Sequence, residues 1–585
     1  MTVPPVSPVV VADVLDALPP RLRKRVDASL SRVVEWAVTV DGDSAQAALD
    51  AETALTWTLH GGALTSADDL ACSCLLAPKC LHRGIAVAAA DIASDIAADM
   101  VSDAVPDAAP EASAAPVEAD TESASDSERT AAAALWEACA TVLRAGATGS
   151  GAVVRAELLR AVHTARIAGL YRASANGLRI AAALAAARAG DSSFDRELLT
   201  AELVDLMLLC HDLRTDTGPV AELRGTARRE YRPIGSLRLY GLCTEVVVSG
   251  SGYSGVVTHL VDGTGVLWTV PAIMPGGVER IAAAASGPVA IGESGLSQRE
   301  LGRGGLLLSG GTASPDHRLG AGKNVRAVAA SAAAWTEPPL DGLWAQPLPE
   351  QVERAFRAGT RPEGNRPAGA DLLFLDGTVL GTAGGALRVA TDTTDVDLVG
   401  EGERARENLR VLAGAAGVRL RFVARLLPDR PGTAVALAVA GGLDLPADLR
   451  HHVDLGLDRL QRSYVAGDGT RELPSRPEPA ERVPRPVRPL ENVLHRVALG
   501  GRAVAAISSA DRDVVALSRT GLTATADVLA DLAAASRDRG RDAFGRVIRE
   551  TGDDFPFAWL RAGLHVREFT RAAAQRAWSE AGRDR

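Results

Sequence analysis

The chain reads as a multidomain α+β protein, with a small ββα zinc module, a helical bundle, a β-rich barrel-like region and C-terminal helices. Three observations predict this. Three of the six cysteines and one of the ten histidines fall in one short run, Cys72-Ser-Cys74-Leu-Leu-Ala-Pro-Lys-Cys80-Leu-His82. Apolar residues recur at helical spacing through residues 129–215, then give way from about residue 218 to short Val-, Leu- and Thr-rich runs divided by glycine turns. Two stretches, 102–128 and 472–490, have linker compositions.

Taken in order, residues 8–50 read as helical. A short amphipathic run over 11–18 is broken by Pro19-Pro20, and residues 21–38 resume it. Arg21, Arg23, Lys24, Arg25 and Arg32 make this the first basic patch. It is either a solvated helix face or a phosphate-contacting surface. Ala54-Leu-Thr-Trp-Thr-Leu59 alternates as a strand does, and His60-Gly61-Gly62 signals a turn. Residues 64–71 are expected to return as a second strand that delivers Cys72 and Cys74 at its end. The apolar run after His82 reads as a helix, with Cys80 and His82 at its first turn.

Thiolates and imidazole are the donors zinc prefers, and four of them close a tetrahedral site. The alternatives for these cysteines are ordinary burial or a redox pair. The spacing resembles the SWIM zinc finger, in which Cys-x-Cys is followed by a variable gap and Cys-x-His on a strand-strand-helix frame. Here five residues separate the pairs, the short end of that family's range, and the resemblance covers roughly residues 50–98. It implies Zn2+ held by Cys72, Cys74, Cys80 and His82, and a module that binds DNA or other proteins. Four protein ligands leave no open position, so the site reads as structural.

Residues 102–128 are acidic and rich in Pro, Ala and Ser, with no aromatic, and are expected to be disordered. Four helices are expected within 129–215, as a bundle with Arg155, Arg160, Arg166, Arg172 and Arg179 on one face. Residues 218–442 read as short strands forming one or two barrels, for which an OB-like barrel fits among other small barrels. Short helices are expected near 349–357 and 402–415. Residues 443–471 read as a helical segment, 472–490 as a Pro-rich spacer and 491–585 as a C-terminal helical domain with helices over 524–537, 543–550 and 559–581. No internal repeat is evident.

The net charge of −10 argues against a protein that coats DNA along its whole surface, while leaving room for a local basic face. A second basic run, with Arg228, Arg229 and Arg232, precedes the first long strand. No stretch approaches the ~20 apolar residues that span a bilayer, and a cytoplasmic location is expected. Cys139, Cys210 and Cys243 lie apart in apolar contexts and read as buried hydrophobes. Gly250-Ser-Gly252-Tyr-Ser-Gly255 lacks the helix a dinucleotide fingerprint opens. Lys323-Asn324 lacks the Ser/Thr of a P-loop, and the acids Asp392, Asp395 and Asp397 lack an EF-hand frame. With no nucleophile-base arrangement in view, the chain reads as non-enzymatic. The expected function is a zinc-binding adaptor for nucleic acid, DNA first, and/or protein partners. The alternative is a protein-protein scaffold without nucleic-acid contact.

Overall fold

The computed structural model describes residues 3–50, 52–93, 123–192, 194–226, 231–249, 253–320, 322, 325–449, 451–467, 469–474, 486–507 and 510–580. Helices and sheets are distributed over two units. The first takes Met1–Ala98, Pro116–Ala227 and Val483–Phe569; the second takes Asp99–Ala115, Arg228–Arg482 and Thr570–Arg585. The expected linkers lie outside the described residues over 102–122 and 475–485.

In the first unit, α1 (Pro8–Ala17) carries a proline at its first turn, where a backbone N–H would have no partner anyway. The helix expected over 21–38 does not form. A short turn, Pro20–Arg23, and a 3-10 stretch, Asp27–Glu35, are its only helical parts. They lead into β1 (Ala37–Asp41) and β2 (Ser44–Ala48), joined at Gly42 with φ +56°. Val38, Ala45 and Ala47 are buried between exposed neighbours. That period of two over so few residues is strand patterning, and it overrides the apparent helix. β3 (Ala54–Thr58) and β4 (Leu70–Cys72) complete an antiparallel sheet in the order β1-β2-β3-β4. The helix α2 (Leu81–Ala89) packs on α1 and on the 3-10 stretch. Gly84 permits that approach, since a Cβ there would lie 2.6 Å from Leu18 Cδ1.

Four long helices follow: α3 (Asp126–Ala145), α4 (Ala152–Ile167), α5 (Tyr171–Ala189) and α6 (Arg196–Thr215). The first begins inside the stretch expected to be linker. Ser125 and Glu128 form a capping box: Glu128 N–H donates to Ser125 Oγ (3.3 Å), and Ser125 N–H donates to Glu128 Oε2 (2.7 Å). Arg224 donates to both oxygens of the same buried carboxylate. The four helices share one apolar core with α1, the small sheet and later helices at Arg488–Gly500, Thr523–Arg537 and the first part of Asp554–Glu580. Leu15, Trp57, Ile85, Trp136, Leu203 and Trp559 are fully buried in it. Between the last two helices the expected helix over 543–550 is replaced by a hairpin, Gly540–Arg541 with Val547–Arg549. Asp542 Oδ1 accepts from the amides of Phe544 and Arg546, and Gly545 has φ +79°. These are turn devices that a helix interior does not accommodate.

The second unit holds two sheets. β5 (Arg232–Val248), β6 (Tyr253–Asp262), β7 (Leu267–Pro275), β8 (Gly305–Ala313) and β10 (Arg326–Ala330) pair in the order β10-β8-β5-β6-β7, with the short β9 (Leu319–Gly320) against β8. Helices Ile281–Ser286 and Gln298–Arg303 lie between β7 and β8. β11 (Leu372–Ala383), β12 (Ala386–Thr391), β13 (Asp395–Val399), β14 (Arg419–Leu426) and β15 (Thr433–Ala440) repeat that connectivity, with helix Gly402–Leu412 between β13 and β14. Numbered within each set, both run 5-4-1-2-3. The second set also closes on itself, because β13 pairs with β15 in parallel from Asp397↔Thr433 to Val399↔Val435. Two successive segments therefore share one strand topology, a duplication no sequence periodicity announced.

The helix expected over 443–471 is absent. Pro446 and Gly456 interrupt the run; β16 (Val453–Asp454) joins β15, and only Arg462–Tyr464 is helical. The reason is polar and specific. Asp454, fully buried, accepts the amide N–H of Thr244 (2.9 Å), and His452 stacks on Trp335 with ring centroids 5.2 Å apart.

Arg224 holds the Glu128 carboxyl down at about 2, from a usual 4.5. A carboxyl whose folded pKa is depressed stabilises the fold above its unfolded value and loses that contribution as pH falls. Glu128→Gln is therefore expected to cost about 1.5–3 kcal/mol at neutral pH. The deficit should shrink between pH 4.5 and about 2 in urea unfolding of the full chain. A deficit independent of pH over that range would contradict this role.

Candidate metal centre

The strand pair β3–β4 sets the first half of the site. Leu55 stands opposite Cys72 in register, and the ladder runs one residue further, with Ser73 N–H donating to Ala54 O (3.0 Å). Ser73 Oγ accepts from Ala54 N–H (2.9 Å) and donates to Glu52 O (3.1 Å). With Ser73 tied to the neighbouring strand, Cys72 and Cys74 share the opposite face, as residues two apart do. The chain then turns, Ala77 N–H donating to Cys74 O (3.0 Å). Cys80 immediately precedes α2 and His82 is the second residue of that helix. The buried guanidinium of Arg83 secures the far side of the loop. It donates to Pro78 O (2.6 Å) and to Ala67 O.

The donor atoms of Cys72, Cys74, Cys80 and His82 all lie within 4.8 Å of one another, and His82 Nδ1 is 3.8 Å from Cys72 Sγ. A tetrahedral zinc with Zn–S of about 2.3 Å and Zn–N of about 2.0–2.1 Å sets its donors roughly 3.5–3.8 Å apart. Three soft sulfurs and one imidazole in that volume fit zinc in both donor type and number. Among the described residues this is the one group of three or more His, Cys, Asp or Glu side chains so placed.

The electrostatics of the cluster are those of thiols crowded together. Burial pushes the Cys72 thiol up to about 12 and raises Cys80 as well. Cys74 is held below its ordinary value: burial opposes this, but hydrogen bonds from the Leu76 amide and from Cys72 and Cys80 outweigh it. Burial, with the nearby Arg32 charge, lowers His82. A neutral imidazole is the form that ligates, and a bound dication would supply the positive charge that three thiolates need.

The other residues singled out from sequence fall apart in space or in role. Arg21, Lys24 and Arg25 are exposed around the short Pro20–Arg23 turn, while Arg23 is drawn to Asp16, its Nη2 donating to Asp16 O (2.6 Å). Arg160 and Arg179 of the bundle pair with Asp16 and Glu202, and Arg155 donates to Ala88 O (3.3 Å) at the end of α2. Arg228 and Arg229 lie outside the described residues, as do residues 250–252, Lys323 and Asn324. Asp397 is bound by Arg388 (2.7 Å), so part of the acidic run is structural. Cys139, Cys210 and Cys243 are fully buried, and burial raises all three thiols. The supporting residues Ser73 and Arg83 were not foreseen. Their signal was only adjacency to a ligand.

No protein-family model matches the chain, and no curated protein or solved structure matches it either. No helix among the described residues is long and apolar enough to cross a membrane.

If the four donors hold one ion, Cys74→Ala should reduce zinc content by elemental analysis from about one per chain to near zero. Residues 72–82 should lose hydrogen-exchange protection, while the buried strands below, anchored by Leu55 and Trp57, keep theirs. Full zinc content in the variant would contradict the ligand assignment.

Proposed function

We propose that the chain is a non-catalytic, zinc-binding adaptor of the SWIM type, and that its zinc module presents a nucleic-acid-binding surface with DNA as the first partner. The observation that carries the reading is the closed four-donor set at the junction of β4 and α2. It supplies a fixed shape and no reactive position. The exposed Arg21, Lys24 and Arg25, in the same unit as the cluster, supply charge for phosphate contact.

The two strand sets of the second unit, of which we read the closed one as an OB-like barrel, carry less of this function. Three of their arginines pair with carboxylates of the same unit. Arg419 and Arg421 bind Asp376, and Arg425 binds Asp371 and Glu245. Trp335, Trp344, Phe374 and Phe422 are core residues and offer no stacking surface to bases. These internal pairings, with the net charge of −10, favour a second reading in which the second unit acts as a protein scaffold.

Fluorescence anisotropy of labelled double-stranded DNA with the full chain, over a salt series, tests the primary reading. Binding should weaken steeply with salt and disappear when zinc is stripped. Replacing Arg21, Lys24 and Arg25 by Ala should lower the slope of log K against log salt by about 3. Absence of binding at low salt would leave the scaffold reading.

A further inference from the structure

The five residues between the second and third ligands are Leu75-Leu76-Ala77-Pro78-Lys79. Leu75 is fully exposed and Leu76 is 63% exposed. Single surface leucines are ordinary, but an adjacent pair on a loop pinned at both ends is different. Cys74 and Cys80 bracket it, the turn bond from Ala77 N–H to Cys74 O closes it, and Arg83 grips Pro78 O from inside. The apolar pair is thus held out to solvent in one shape, so little ordering entropy is lost when it enters a partner.

Two cations flank it. Lys79 is exposed on the loop itself. Arg32, also exposed, lies on the 3-10 stretch Asp27–Glu35, which packs against α2. The carboxylate of Asp50 is turned onto the amides of Glu52 (2.9 Å) and Thr53 (2.7 Å). Two leucine side chains fall far short of the roughly 1,000 Å² that a stable protein interface needs. One or two apolar side chains are, however, enough to pry apart a base step when cations beside them hold the flanking phosphates.

We infer that Leu75 and Leu76 form an apolar wedge that enters the minor groove of double-stranded DNA and partly unstacks one base step, with Lys79 and Arg32 on the adjoining phosphates. This rests on the nucleic-acid reading above and specifies how the zinc loop takes part in it. The geometry also gives a metal at this point a purpose, since a wedge must be stiff to transmit force to a stacked helix.

The test uses the zinc-loaded full chain and a duplex carrying 2-aminopurine, whose fluorescence rises on unstacking. Wild-type protein should bind and raise the fluorescence. Leu75→Ser/Leu76→Ser changes only exposed side chains, so zinc content should stay at the wild-type level. Its affinity should fall on the order of tenfold and the fluorescence rise should vanish. Lys79→Ala should weaken binding while leaving the fluorescence rise at saturation. If wild type binds and the double variant matches it in affinity and fluorescence, the wedge is overturned while the nucleic-acid reading survives. If wild type does not bind DNA at low salt, both fall. Binding of wild type, but not the double variant, to phosphatidylserine vesicles without DNA binding would overturn the wedge in favour of a membrane contact.

Discussion

The convergence of four donor atoms from two chain segments is the constraint on which the reading of the first unit depends. The loop between Cys74 and Cys80 buries little apolar surface of its own. Leu75 and Leu76 face solvent, and Cys80 is the buried ligand. Without an ion, the loop is held by a turn bond and the Arg83 guanidinium, while burial keeps the Cys72 and Cys80 thiols from ionising. A bound dication would reverse that balance, because it would reward the thiolates that burial penalises. The strands beneath do not share the dependence. Leu55, Trp57 and Leu70 belong to a core built with α1 and the helical bundle, so a bound metal would shape a loop on a framework that hydrophobic burial already supports.

Much of the site was legible in the sequence because its signal is chemical and local. Cysteine is scarce in this chain, and three of the six standing beside a histidine point to one shared ligand role. The long helices were legible for a related reason: apolar periodicity over many residues is redundant, so one misread position does not matter. Short elements failed. The run from 21 to 38 has apolar residues at spacings that suit either period, and the pairing of β1 with β2, itself backed by β3, decided for strand at its end. Ser125-x-x-Glu128 was a helix start in plain view, hidden by the acidic composition around it.

The second unit shows the other limit. Its two strand sets share one connectivity, yet their side chains do not repeat, since each position answers to its own neighbours. The segment over 443–471 reads as helix by composition, but the buried Asp454 and Asp458 gather on Arg303, and Thr244 donates to Asp454. Such contacts join residues more than a hundred positions apart and are invisible to any local pattern. Glu245 belongs to the same class. Burial pushes its carboxyl up, but Arg425 and His259 hold it down at about 2. Polar groups buried in this way need partners or the fold loses stability, which makes them determinants of the unit's shape.

The zinc-binding reading stands on the metal, and X-ray absorption at the zinc edge of the purified full-length protein tests it most directly. It predicts one zinc per chain with three sulfur neighbours at about 2.3 Å and one nitrogen at about 2.0–2.1 Å. A shell dominated by oxygen and nitrogen, or an additional water ligand, would contradict a closed structural site and with it the reading of this loop as a rigid binding element.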